Sequence, residues 1–431
     1  MANRPGGDRR SLHRFVLPGR NLHQNPQSPF EPDMPADPPD LDLYRFDDRL
    51  SDEDRGLRDR IRTFVDTRFL PVVNEYWDRH DFPVDLIREM GDLGCFGATI
   101  QGWGCPGLTP RTNGMIMREL ERGDSGLRTM ASVQSSLAMN AVRFFGSDAQ
   151  RDHWLPRMRT GEALGCFGLT EPGFGSNPGG MITTARRRDG GWSLSGHKMW
   201  IGNADIADVA IVWAKAEGFD VDPEGSKSIR GFLVPTDRPG FKAELIKNKY
   251  SLRVARTSRI EFEDVPLDED DLLPESGGLR SPLTCLDQAR FGIAWGVIGA
   301  AEACLQDVVR HAGVREVFGK TLDHYQLTQD KMSECWIRIV QMQAIADRLA
   351  DLKEAGDGSG PQVSLAKTSA CESAQIVARL CRDLLGGVGI LDDHCVMRHM
   401  INLESVATYE GTRDIHRLVL GRELTGASAF F

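Results

Sequence analysis

No run of about 18 or more apolar residues occurs in this sequence, so by length and hydropathy no segment is expected to span a membrane. Basic residues do not predominate: 52 Lys and Arg stand against 62 Asp and Glu, a net charge of −10, and the pI is near 5.6. A duplex-binding surface concentrates cations to release counterions, so this balance argues against nucleic acid as a partner. No CxxC pair occurs among the nine cysteines, Cys95, Cys105, Cys166, Cys285, Cys304, Cys335, Cys371, Cys381 and Cys395, and their scatter gives no metal-ligand spacing. They read as reduced, mostly buried thiols of a cytoplasmic protein. No internal repeat is detectable.

What is present is a chain of 431 residues, 40% apolar and 26% charged, long enough for two or three domains with a large core. Residues 1–40 carry Arg4, Arg9, Arg10, Arg14 and Arg20, then many prolines, without an apolar face. A disordered extension is expected there; a transit peptide, which would place the protein in the mitochondrial matrix, is the alternative. Residues 41–163 read as helical: Ser51 with Asp52, Glu53 and Asp54 is an N-cap and acidic first turn. Leu57, Ile61 and Phe64 continue the spacing, as do Leu86, Ile87 and Met90, then Met115, Met117 and Leu120, then Leu137, Met139, Val142 and Phe144. Residues 164–276 change period. Val209 to Trp213 and Phe232 to Val234 read as buried strands, Ile260 and Phe262 alternate with Glu261 and Glu263, and Gly190 with Gly191 marks a hairpin. Helices resume over 277–431, with an apolar stretch from 291 to 306 that suits the centre of a bundle. The order helix, sheet, helix defines an α+β chain.

One pentad stands out, Thr408, Tyr409, Glu410, Gly411 and Thr412. It lies between two amphipathic segments, so Glu410 and Gly411 break a helical region near the C-terminus. A carboxylate at such a break, beside an aromatic and away from charge partners, is expected in an apolar pocket with a raised pKa, which suits a general base. On the pentad alone, an ordinary helix-ending Glu before a glycine C-cap is the commoner reading.

Four further segments change that balance. Phe167 to Ser176 (FGLTEPGFGS) resembles the flavin-binding segment of the acyl-CoA dehydrogenases, and Lys198 to Asn203 (KMWIGN) resembles their second flavin segment. Arg315 to Gly319 (REVFG) and Leu385 to Gly389 (LGGVG) look like their adenine and pyrophosphate contacts, and the pentad matches their catalytic segment. The resemblance runs in order over roughly 45–428. It implies an acyl-CoA dehydrogenase-like fold with an N-terminal α-helical domain, a central β-barrel domain that binds flavin and substrate, and a C-terminal four-helix bundle carrying the catalytic Glu. It implies FAD, an acyl-CoA substrate and a homotetramer. By resemblance Phe167, Thr170, Gly175, Ser176, Trp200 and Gly202 line the flavin, with Thr412 near it, while Arg315, Phe318, Gln326 and Gly387 reach a neighbouring subunit's FAD. Hydroxyls and N–H groups beside a flavin stabilise negative charge on its reduced form, and Arg suits a pyrophosphate. For Phe167 and Trp200 a plain core role is the alternative, and for Arg315 a solvated helix position. Glu410 would take the substrate's α proton while hydride leaves the β carbon for FAD. Arg290 would lie near that base; Leu286, Asp287 and Ser176 would lie along the substrate.

Residues 119 to 137 (ELERGDSGLRTMASVQSSL) resemble the glutaryl-CoA dehydrogenase branch in particular. There Arg128 would grip the distal carboxylate, Ser132 would assist, Glu121 would orient the Arg, and Tyr409 and Gly411 would complete the pocket. Decarboxylation to crotonyl-CoA would then follow oxidation. The alternative is a buried pair of Arg128 with Glu121 or Asp124. Three residues depart from the family pattern: Gly202 replaces a Thr, Val388 an Asn, and Leu127 an aromatic. The leading expectation is a glutaryl-CoA dehydrogenase-like enzyme passing electrons to an electron-transfer flavoprotein. An oxidase using O2, favoured by Gly202, a dehydrogenase for a related acyl-CoA or carrier-protein thioester, and a catalytically silent scaffold are the competing ones.

Overall fold

A computed structural model of the chain describes residues 40–429. The proline-rich extension expected over 1–40 therefore lies, but for Asp40, outside the described residues. Ser51 opens helix α1 (Asp52–Phe64) as its acidic neighbours predict: its Oγ accepts from the Asp54 N–H at 3.1 Å, and the Asp54 carboxylate reaches back to close a capping box. Leu57, Ile61 and Phe64 turn inward. The helical layer continues through α2 (Val73–Arg79), α3 (Leu86–Asp92), α4 (Pro110–Gly123), α5 (Ser125–Ser132), α6 (Asn140–Phe145) and α7 (Asp148–Arg159). Where apolar spacing predicts one helix around Leu137 to Phe144, the structure divides the stretch between a π-helical turn, Val133–Met139, and α6.

Strands β1 (Gly165–Gly168), β2 (Thr184–Arg188), β3 (Gly191–Gly202), β4 (Val209–Ala216), β5 (Ile229–Pro235), β6 (Phe241–Leu245) and β7 (Thr257–Asp268) form one curled sheet. Its order is β1-β4-β2-β3-β7-β6, with β5 paired to β4. Val209 to Ala214 are all buried, as their unbroken apolar run predicts, and β7 alternates Ile260 and Phe262 inward with Glu263 outward.

After Leu279 comes α8 (Arg280–Val314), then a small hairpin of β8 (Glu316–Val317) and β9 (Lys320–Thr321), then α9 (Gln326–Glu354), α10 (Gly360–Leu384), α11 (Val396–Thr408) and α12 (Arg413–Thr425). By length and composition alone α8 is apolar enough to cross a membrane, yet 83% of its most apolar stretch is buried within the protein. It packs on α4, α9 and α10 as the centre of the bundle. Its crossing with α4 depends on glycine, since a Cβ at Gly299 would fall 1.9 Å from the Arg118 carbonyl oxygen. Arg118 and Glu302 lock the same crossing with a buried bidentate pair at 2.7 and 2.6 Å. This crossing carries the end of α4 and all of α5 against the C-terminal domain.

Candidate active site

The site begins with the turn between α11 and α12. Thr412 caps α12 by accepting from the Ile415 N–H at 3.3 Å, which forces the chain to reverse within Tyr409, Glu410 and Gly411. Glu410 takes φ 55 and Gly411 φ 102. A non-glycine residue in the left-handed region costs roughly 1–3 kcal/mol and persists only where surroundings hold it. Here the Arg290 Nε donates to the Glu410 carbonyl at 2.7 Å. Lys367 donates to the carbonyls of Ala407, Tyr409 and Gly411 at 3.1, 3.0 and 2.8 Å. The turn is thus no ordinary C-cap. Its carboxylate Oε2 is buried with no hydrogen-bond partner among the described residues, and burial raises the Glu410 pKa above the usual carboxylate value. The expectation of a carboxylate away from charge is corrected: Arg128, Arg290 and Lys367 all oppose that rise.

Facing the turn is a buried cation. Arg128 and Glu121 have wholly buried side chains paired at 2.8 Å, and Ser125 Oγ donates to the other Glu121 oxygen at 2.8 Å. The Arg128 Nη2 donates to the Tyr409 hydroxyl, and the guanidinium carbon lies 5.5 Å from that ring's centre. The pair with Glu121 predicted as an alternative is therefore present, but it does not use up the fork: Nη1 is buried and unpaired. Ser132, one turn further along α5, has an equally orphaned Oγ. Buried donors and acceptors in native proteins are nearly always satisfied, so three orphans on Arg128, Ser132 and Glu410 mark a place where a polar ligand belongs. On α8, Arg290 also pairs with Asp287 at 2.8 Å, with Leu286 partly buried against the core.

The sheet supplies a second wall. Lys198 is fully buried, bonded to Glu171 at 2.9 Å and to the Leu169 carbonyl at 3.0 Å, while Glu171 accepts from the Ile182 and Thr183 N–H groups at 2.7 and 3.0 Å. This pair ties the loop after β1 to β3, and the Met199 N–H donates to the Thr170 carbonyl at 2.8 Å. Lys198 to Ile201 is a bulge; there Trp200 sits at φ 64 with its side chain 58% exposed. A large aromatic held at a bulge and left uncovered is not core, so the core alternative fails for Trp200. It holds for Phe167, which is buried beside Trp213. Gly175 and Ser176 are exposed in the loop between β1 and β2, and a Cβ at Gly175 would meet nothing within 4 Å. Gly202 abuts Val133, whose Cγ2 lies 3.0 Å from where a Cβ would stand, which joins this wall to the end of α5. An uncovered aromatic, open glycine backbone and adjacent hydroxyls fit a flat cofactor with a phosphate tail.

Arg315, Phe318, Gln326 and Gly387 are not brought to this site. They stand exposed on the β8–β9 hairpin, the start of α9 and the turn after α10. Three contributors escape a reading of the sequence. They are Lys367; Gly296, where a Cβ would fall 2.1 Å from Glu121 Oε2; and His416, buried behind Gly411, whose pKa burial and the neighbouring cations push down to about 3.

A shielded carboxylate near an unspent guanidinium, in a chain whose sheet offers a wall fit for a flat ring, is an arrangement able to deprotonate a carbon acid away from water. Comparison with known proteins makes this particular. The chain belongs to the acyl-CoA dehydrogenase family: the family's N-terminal domain matches residues 51–162, its middle domain 166–265 and its C-terminal domain 276–425. It is 31% identical over 377 residues to the mitochondrial short-chain specific acyl-CoA dehydrogenase of Bos taurus, covering 87% of this chain and 90% of that protein. Among solved structures, glutaryl-CoA dehydrogenase from Mycobacterium smegmatis in complex with FADH2 superposes with a TM-score of 0.87 at 44% identity, covering 91% of this chain and 99% of that one. Butyryl-CoA dehydrogenase from Megasphaera elsdenii gives 0.83 at 29% identity, over 87% and 98% of the two chains. The fold and the acyl-CoA dehydrogenase class expected from the residues are those found.

Proposed function

We propose that the chain oxidises a short dicarboxyl acyl-CoA, glutaryl-CoA first among candidates, with FAD as its cofactor. The observation that carries this reading is the unspent Arg128 Nη1, with the orphaned Ser132 Oγ one turn further along α5, both buried. A monocarboxyl chain would leave that donor without a partner, whereas a distal carboxylate would take a charge-assisted bond from it. Glu121, held by Ser125, fixes the fork's orientation. FAD would lie along Thr170, Ser176 and Trp200, and when bound it supplies the hydride acceptor. Glu410 removes the α proton into a carboxylate that burial has made more basic, giving the 2-enoyl thioester. The distal carboxylate is then vinylogous to the thioester and leaves as CO2. Its electron pair moves into the conjugated chain, and the proton held on Glu410 returns at the γ carbon to give crotonyl-CoA.

The acceptor of the electrons is proposed to be an electron-transfer flavoprotein. Gly202 favours the oxidase reading, but the space beside it is narrowed by Val133, whose Cγ2 lies 3.0 Å from where a Cβ would stand. Anaerobic mixing with glutaryl-, butyryl- and other short acyl-CoAs, following flavin absorbance and released CO2, tests the proposal. Bleaching with CO2 from glutaryl-CoA is the expected result. Bleaching by butyryl-CoA alone would replace it with a short-chain monocarboxyl dehydrogenase, and peroxide formed at the turnover rate in air would replace it with an oxidase.

A further inference from the structure

Lys367 lies on α10, buried to 1% exposure, among small residues that give it no carboxylate partner within ion-pair distance among the described residues. A buried ammonium that finds no counter-ion ordinarily neutralises or is replaced, and burial does lower this one's pKa. What compensates it is backbone: all three donors go to carbonyls, those of Ala407, Tyr409 and Gly411. The Ala407 carbonyl belongs to the last turn of α11 and has no helical partner, so Lys367 acts as a cap supplied by another helix. Arg290 takes the carbonyl between the last two, that of Glu410. Four carbonyls within five consecutive residues are thus gripped by two cations from α8 and α10, and the last two of those residues, Glu410 and Gly411, are the ones that take positive φ.

We propose that Lys367 is a positioning residue for the proton-abstraction step, holding the backbone on both sides of Glu410 so that its carboxylate faces substrate instead of relaxing with its turn. The proposal rests on Glu410 being the base. It also explains why the left-handed conformation is stable at a glutamate. Released from Lys367, the carbonyls of 407, 409 and 411 lose their partner, and the turn can move by the ångström that costs a reaction about 100-fold. The charged and titratable groups facing Lys367 are Glu410, Arg290 and Arg128, with Cys371 on its own helix and His416 on α12; none replaces its three bonds.

The test uses Lys367→Met and Lys367→Gln in the full-length holoenzyme. Thioester affinity and flavin content should stay near wild type while the rate of flavin reduction falls about 100-fold in Lys367→Met, with partial recovery in Lys367→Gln, whose amide can restore two of the bonds. Amide exchange across 405–416 should accelerate in Lys367→Met and nowhere else. Unchanged reduction and exchange, exchange that rises throughout the bundle, or loss of folding in both variants would each overturn the proposal. The two readings fail separately: if Glu410→Gln also reduces its flavin at the wild-type rate the base is elsewhere, yet the exchange result still decides whether Lys367 holds the turn.

Discussion

Arg128 has a donor that nothing among the described residues uses, and the cost of that arrangement tells against a purely structural role. Simple removal of Arg128 would strand the Glu121 carboxylate, a loss of roughly 3–5 kcal/mol in stability that would mask any effect on substrate. The pair variant Glu121→Gln/Arg128→Met removes both charges at once. Its kcat/KM for glutaryl-CoA should drop by at least ~30-fold, the lower end of what a buried charge-assisted contact contributes, while butyryl-CoA turnover changes only severalfold. Equal losses on the two thioesters would show that Arg128 never meets substrate. Glu410 invites a second measurement. A base works ionised, and burial holds this one's pKa above 4.5, so the rate of anaerobic flavin reduction should fall with decreasing pH on a limb lying above that value. Glu410→Gln cannot accept a proton and should bind thioester with the flavin still yellow. Bleaching of that variant near the wild-type rate, or an acid limb below pH 4.5, would remove Glu410 from the chemistry.

At the scale of elements, the C-terminal turn is backed by α12 through His416. This imidazole is buried at 1% exposure, and its pKa stands at about 3 against an ordinary 6.5. The unfolded chain therefore takes up a proton first as pH falls. The stability that neutral His416 contributes is complete above pH 6.5 and is lost progressively toward pH 3, at up to ~1.4 kcal/mol per pH unit. His416→Gln, which cannot charge, should show a smaller drop in urea midpoint between pH 7 and pH 5 than wild type; identical drops would mean the imidazole titrates freely in the fold. Why some elements announce themselves in the residues and others do not is also physical. Amphipathic spacing locates α1 because it has one face in the core, and β4 shows as an apolar run because both its faces are covered. β3 stays hidden because Ser193, Ser195, His197 and Lys198 interrupt it and it is bulged twice. The carboxylate of Glu410 is legible as a candidate from its pentad, and its partner Tyr409 meets Arg128 across 281 residues, a distance only family resemblance spans. Lys367 is not legible at all, since its partners are backbone carbonyls and these carry no residue identity.

For the whole molecule, the surface away from Glu410 is where the single chain is least self-sufficient. Phe318 is 95% exposed at φ 51, Leu327 78% and Ile390 61%, and all belong to the β8–β9 hairpin, the start of α9 and the turn after α10. Covering side chains of this size contributes ~1.5–3 kcal/mol each, and their place on the same segments as Arg315, Gln326 and Gly387 suits a surface that another copy completes. Sedimentation should accordingly give a mass near four times 47.8 kDa. The double variant Phe318→Asp/Leu327→Glu places charges in that contact and should lower the mass. Because these residues adjoin the proposed contacts to a neighbouring subunit's FAD, flavin absorbance per chain should fall in the same fractions. A dissociated variant with its full complement of flavin would show each chain holding its cofactor alone, and a wild-type chain sedimenting at 47.8 kDa would leave this apolar surface without the partner argued for it.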